Sequence, residues 1–269
     1  MERPDKKSKK KRDLSRTVEK RLTLLTWILV LLVWTLITEL KVVSSVMVPT
    51  PRDVWRTFVQ ILNQGYNNHS LWLHLGVSFR RLFLAFGLAV ITGIPLGLLS
   101  GYSSKVRAVV DSIVQFYRPL PPLAYYTLLI LWLGIDDTSK VTLLYLAALA
   151  PIYVSCVSAV KGVNRNYVLS ARSLGATQQQ VFAHIVLPAC MPSIFTGLRT
   201  AIGVAYTTLV ASEMVAATSG IGWMVIDASR YLKSNVMFVG IILMGLTGVF
   251  IDLFMRLIEK NLIHWKGQL

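Results

Sequence analysis

The sequence predicts an all-α, polytopic membrane protein with six transmembrane spans, and three observations carry that expectation. Apolar residues make up 54% of the 269 positions and charged residues only 15%, well under the roughly 25% usual in soluble domains. The apolar residues gather into blocks of bilayer length instead of recurring at amphipathic spacing. Ten of the 28 basic residues stand between Arg3 and Arg21, directly ahead of the first apolar block. A basic arm beside a span marks the cytoplasmic side and meets anionic headgroups. The net charge of +15 therefore needs no nucleic acid to explain it, since no basic stripe interleaved with aromatics follows in a soluble segment.

Residues 1–21 read as a basic cytoplasmic arm and 22–269 as the transmembrane domain. The first span, 22–38, is too long for a signal-peptide core and has no small-residue cleavage site after it, so it reads as an uncleaved anchor. The second runs over about 82–100 and contains Gly93, Gly97 and Gly101, whose four-residue spacing puts them on nearly one helix face. That face suits packing within the chain or against another subunit. The third region, 106–134, is interrupted by Arg118-Pro119-Leu120-Pro121-Pro122. Three prolines in four residues remove backbone donors and prevent a continuous helix. Each half alone is about 20 Å long, short of the roughly 30 Å hydrocarbon core, so the region is expected to be one broken span. The fourth, fifth and sixth spans are expected over 141–160, 189–216 and 236–255.

Charge fixes the sidedness. With the N-terminus inside, the segment between the fourth and fifth spans is also inside; it carries Lys161, Arg165 and Arg172 and no acidic residue. The cytoplasmic side then holds eighteen basic residues against eight outside, in the sense of the positive-inside rule. Arg80 and Arg81 sit awkwardly at the outer end of the second span. Counting the third region as two spans would put the acid-free basic segment outside.

Few charges lie at membrane depth. Arg118 precedes the proline break, Arg199 is in the inner part of the fifth span and Glu213 near its outer end. Such groups face a bundle interior or a pathway, or reach a surface along their own side chains. Arg118 and Arg199 would complement an anionic substrate; Arg118 would equally well bind carbonyls freed by the prolines. Asp252 and Arg256, four apart, are expected to pair along the sixth span. Cys156 and Cys190 read as structural thiols. The four histidines have no metal-ligand spacing, no catalytic constellation appears, and no phosphate-binding Gly-x-x-x-x-Gly-Lys-Ser/Thr loop is present. Any ATP that drives this chain must act through another subunit.

The segment from Asn164 to Pro188 reads as two short helices. The first, about 167–174, stops at Gly175. Thr177 and Gln180 form a capping box for the second, in which Val181, Phe182 and Ile185 share a face, and Pro188 opens the next span. The spacing Leu169-Ser170-Ala171, Gly175, Ile185-x-Leu187-Pro188 resembles the EAA loop of bacterial ABC importer permeases. There the family's leading Glu is replaced by Leu169 and its next Ala by Ser170. Val48-Pro-Thr-Pro51, Gly93-Ile-Pro-Leu-Gly97, Trp132-Leu-Gly134, Thr138-Ser-Lys140 and Thr218-Ser-Gly-Ile-Gly222 extend the likeness. It is closest to the nitrate/sulfonate/taurine group, and within it to the taurine branch through Tyr117 to Tyr125 and, loosely, His264-Trp265-Lys-Gly267.

The resemblance implies the MetI-like permease fold and an ATP-driven importer for taurine or a related alkanesulfonate, with aliphatic sulfonate, nitrate or a pyrimidine precursor as alternatives. It implies a coupling loop over 162–188, with Leu169, Ser170, Ala171, Gly175, Ala176, Ile185, Leu187 and Pro188 meeting the ATPase. Arg118, Tyr125 and Arg199 are the candidate pathway residues. It further implies a second permease copy, ATP-binding subunits that hold ATP and Mg, an extracytoplasmic substrate-binding protein, and a bacterial inner-membrane location with both termini cytoplasmic. The chain itself needs no cofactor or metal and is not an enzyme. A secondary transporter would need a mid-bilayer ion site and an inverted repeat, and only the broken third span points that way.

Overall fold

The computed structural model describes residues 6–263, with side chains from residue 18 onward; the 264–267 motif and the start of the basic arm lie outside them. The described residues are helical without a strand, apart from an isolated bridge between Tyr66 and His69. The helices are α1 (Lys6–Glu39), α2 (Pro51–Gln64), α3 (Leu71–Tyr102), α4 (Ser104–Tyr117), α5 (Pro122–Leu133), α6 (Asp137–Lys161), α7 (Arg165–Ser173), α8 (Gln178–Val181), α9 (Leu187–Ala216), α10 (Ile221–Arg230) and α11 (Ser234–Leu262). Among the described residues, five apolar stretches are long enough to cross a membrane: Val18–Glu39, Leu71–Tyr102, Asp137–Lys161, Gln178–Ala216 and Ser234–Leu262. At about 1.5 Å per residue α4 and α5 measure only about 21 and 18 Å, so together they make the sixth, broken crossing.

Helices α3, α6 and α9 form the centre. Leu82, Ala85 and Ala89 of α3 interlock with Leu144, Ala148, Ile152 and Cys156 of α6, and with Ala201, Ala205 and Leu209 of α9. Small residues let the backbones approach, which is how helices associate in lipid, where burial of apolar surface supplies no drive. The three glycines of α3 lie on this seam: a Cβ on Gly93 would meet Leu149 and Ile152, one on Gly97 the Tyr153 carbonyl and Cys156, and one on Gly101 Val160. Their role here is packing within the chain.

Two smaller clusters attach the remaining elements. Val114 seats α4 on Ala150, Tyr153 and Val157 of α6. Val54 and Ile61 of α2, Tyr66 and Leu71 hold Met224 and Ala228 of α10 and Val236 and Val239 of α11. The Tyr66 hydroxyl donates to Asp227 (2.8 Å), as does the Asn67 amide (2.7 Å). Burial first, and then the Asp227 carboxylate, raise the Tyr66 phenol above its ordinary pKa, so it stays a neutral donor. From Val18 onward helix α1 is almost wholly exposed, and it is tied on near its end, where the Trp34 indole donates to the Pro49 carbonyl (3.0 Å) and stacks on Phe238.

Two expectations need correction. The second span begins eleven residues earlier than expected, at Leu71, because His74, Ser78 and Arg81 face inward instead of lying beyond the membrane helix. Pro188 stands in the first turn of α9 as expected, but no break in the helical backbone precedes it. A π-helical turn at Phe182–Val186 joins α8 to α9, so one apolar rod runs from Gln178 to Ala216. A proline ring collides with the carbonyl four residues back, and the wider π turn relieves that collision at His184.

Candidate functional site

Three regions hold the polar chemistry. The first is the loop between α6 and α9. The Asn164 side chain caps α7 by accepting from the Asn166 amide (2.9 Å). At the other end Ala176 N–H donates to Ala171 O (3.1 Å) and Gly175 N–H to Arg172 O (3.0 Å), the paired bonds of a Schellman ending with Gly175 at φ +84°. The expected capping box is formed: Gln180 N–H donates to Thr177 Oγ1, and Thr177 N–H to Gln180 Oε1. Ala171, Ala176, Ile185, Leu187 and Pro188 are half-buried, whereas Leu169, Ser170 and Gly175 are exposed. Tyr167, Leu169 and Leu174 are exposed too, Leu174 at 89%, and form apolar points on an otherwise polar knob.

The second region is a furrow at the proline break. Tyr117 O accepts from Leu120 N–H (3.0 Å) and Pro121 O from Ala124 N–H (2.8 Å), so the unwound link satisfies part of its own backbone. Pro122 starts α5, where its missing N–H costs nothing. Arg118 is exposed, makes no ion pair among the described residues, and stands where two cavities adjoin. One, of about 360 Å³, is lined by Tyr117, Arg118, Tyr125, Pro151, Ser155 and Thr200. The other, of about 680 Å³, is lined by Arg118 with Asp111, Gln115, Tyr153 and Lys161. Arg118 and Tyr125 are thus brought together. Arg199 is not: it donates to Asp252 (2.9 Å) and Glu259 (3.5 Å) of α11, and Arg256 pairs with Asp252 as expected (2.8 Å). These ion pairs make Arg199, its side chain 29% exposed, a bridge between α9 and α11.

The third region gathers residues that the sequence offered only singly, Arg80, Arg81 and Glu213, around Asp137. Arg81, with its side chain 5% exposed, donates to Asp137 Oδ1 from Nε (2.8 Å) and Nη2 (2.6 Å), and through Nη1 to Glu213 Oε1 (2.9 Å) and the Ser219 carbonyl (2.8 Å). Arg80 also pairs with Asp137. Glu213 is 1% exposed and further accepts from Ser78 Oγ (2.7 Å) and Gly222 N–H (2.9 Å). Ser78 Oγ accepts from Ile221 N–H (3.1 Å), and His74 Nδ1 from Gly220 N–H (3.1 Å). Gly220, at φ +126°, leaves no room for a side chain beside the Glu213 carboxylate. The cluster therefore joins α3, the start of α6 and the α9–α10 link through charge-assisted bonds. Beyond those single charges, the signal that could have joined them was His74, Ser78 and Arg81 at i, i+4 and i+7 on an apolar helix.

The helical bundle, its broken crossing and its capped helical knob define a multi-pass membrane protein. Residues 93–264 match the family described as binding-protein-dependent transport system inner membrane component, and the chain belongs to that family. It is 40% identical over 256 residues to the taurine transport system permease protein TauC of Escherichia coli (strain K12), covering 95% of this chain and 92% of that one. It is 34% identical over 238 residues to the putative aliphatic sulfonates transport permease protein SsuC of Bacillus subtilis (strain 168), covering 88% and 85%. The nitrate import permease protein NrtB of Synechocystis is 30% identical over 220 residues, or 80% of each chain. In fold it resembles a chain of the inward-facing MetNI methionine ABC transporter, with a TM-score of 0.61 and 18% identity, covering 71% of this chain and 96% of that one. The protein is a multi-pass ABC importer permease of the taurine/sulfonate/nitrate group, a transporter subunit and not an enzyme.

Proposed function

We propose that two copies of this chain form the translocation pathway for taurine or a related alkanesulfonate in the bacterial inner membrane, with both termini and the 162–188 loop cytoplasmic. The observation that carries this reading is the furrow at the proline break. Arg118 offers an unpaired guanidinium, a planar fork of donors suited to a sulfonate, where two cavities adjoin, with Tyr125 beside it. The furrow is open along one side, and a second copy would supply the facing wall. The likeness to a taurine permease supports the choice of anion. An extracytoplasmic binding protein delivers the substrate. ATP and Mg bound by partner ATPases close that pair and move the knob, on which Leu169, Leu174 and Tyr167 offer apolar contacts. Rigid-body motion then alternates the opening of the pathway. Arg199 contributes to the pathway by fixing α9 against α11.

Uptake of labelled taurine, other alkanesulfonates and nitrate by the reconstituted complex tests this reading; uptake of nitrate with no sulfonate would overturn the substrate assignment. In the same assay Arg118→Met should lower sulfonate uptake about tenfold or more, as a lost charged hydrogen bond of about 1.5–3 kcal/mol requires, while Arg118→Lys keeps part of it. Both variants should assemble normally with the ATPase. Normal uptake by Arg118→Met would remove Arg118 from the pathway.

Gly175→Val tests the knob. No atom lies within 4 Å of an added Cβ, so the cost is confined to a left-handed backbone, at least about 1–2 kcal/mol, and falls on the loop's shape. The variant should fold normally in the membrane yet retain clearly less ATPase in a pull-down. Full retention would show that the turn does not shape the docking surface.

A further inference from the structure

The structure places one amphipathic helix where no span needs it. Helix α2 follows α1 closely and packs Val54, Phe58 and Ile61 inward against Tyr66, Val236 and their neighbours. At about 3.6 residues per turn, Trp55, Val59 and Leu62 form a second apolar stripe beside the buried one, and all three are exposed, Trp55 at 65%. Arg52 and Arg56, both exposed, border that stripe on its far side, and neither has an ion pair among the described residues. Polar Asp53, Thr57, Gln60 and Gln64 occupy the remaining face.

We infer that α2 lies in the plane of the membrane surface, with Trp55, Val59 and Leu62 sunk among the upper acyl chains and Arg52 and Arg56 bound to anionic phospholipid headgroups. An apolar flank, an aromatic amphiphile at its centre and cations along one border are the features of an interfacial helix. Charge complementarity selects the occupant: arginine forks match phosphate geometry, whereas the apolar stripe excludes bulk water as its neighbour. Two further exposed tryptophans support the same boundary. Trp72 stands in the first turn of α3 and Trp132 in the last turn of α5, at 69% and 70% exposure, on the same side of the bundle as α2 in the topology above. Tryptophan concentrates at that level because its ring is apolar and its N–H is not. Helix α2 thereby anchors the link between the first two crossings at a fixed depth.

Fluorescence quenching by brominated lipid tests this on the full-length chain in nanodiscs. The difference in emission between the wild-type protein and Trp55→Phe isolates Trp55. Its emission should be quenched more by bromine near the glycerol end of the acyl chains than by bromine near the methyl end. Brominated phosphatidylglycerol diluted into unlabelled phosphatidylethanolamine should quench it more than the converse mixture, and Arg52→Gln combined with Arg56→Gln should abolish that excess. Equal quenching by the two mixtures would overturn the anionic-headgroup contact. Trp55 emission untouched by either bromine position would overturn the membrane placement. Quenching relieved by adding a purified binding protein would assign the face to that protein instead.

Discussion

Arg81→Met is expected to destabilise the protein by about 3–5 kcal/mol, because it leaves a buried carboxylate without its counter-charge. Glu213 would keep only the Ser78 hydroxyl and the Gly222 amide, and Asp137 would keep the exposed Arg80. The thermal-unfolding midpoint of the purified chain in detergent reads the loss. Adding Glu213→Gln to Arg81→Met should recover a large part of it, since the double variant buries no net charge there. A double variant as unstable as the single one would show that the arginine acts through packing and not through the carboxylate. The cycle is needed because neighbouring groups in one network do not contribute additively.

Gly97→Leu should be nearly as damaging by a different route. A Cβ at Gly97 would stand 2.9 Å from the Tyr153 carbonyl oxygen and closer still to Cys156, so α3 and α6 must separate along the seam that organises the core. Overpacking of this kind costs about 1–3 kcal/mol or more, and here the obstacle is backbone, which cannot rotate away. The expected result is a sharp fall in monodisperse protein on gel filtration. Gly76→Leu, in the same helix with no atom within 4 Å of its added Cβ, should leave the yield unchanged and so controls for helix propensity. Equal behaviour of the two variants would refute the role given to the seam.

Features governed by neighbours in sequence were legible before the structure. The apolar blocks, the proline break at 118–122, the Gly175 stop, the Thr177–Gln180 box and the Asp252–Arg256 pair each depend on residues within a turn or two of one another. The glycines of α3 were legible as a face, although their partner was not. Misplacement began where a polar residue faced inward. Arg81 meets partners 56 and 132 residues away, so hydropathy counted it as an end of the membrane helix when it lies well inside that helix. The charge of Arg199 was visible too, but its partners were not, since Asp252 and Glu259 lie 53 and 60 residues on. The π-helical turn was hidden because proline after a short helix ordinarily signals a new start, and only the continuing backbone reveals the widened turn. Arg118 and Tyr125 needed no distant partner to be noticed, since the break itself marks them.

The continuity of the Gln178–Ala216 segment has a mechanical corollary. Its 39 residues make a strut about 58 Å long, with the knob attached at one end and Glu213, clasped by Arg81, close to the other. A jointed connection would absorb a push at the knob as local bending. Backbone that stays helical through the π turn and past Pro188 and Pro192 passes part of that push on as tilt, and a tilt of about 5° around the middle displaces each end by roughly 2.5 Å over this length. That displacement is comparable to the length of one of the hydrogen bonds holding Glu213, so a movement too small to disturb the knob's own fold is large enough to change which partners the far carboxylate can reach.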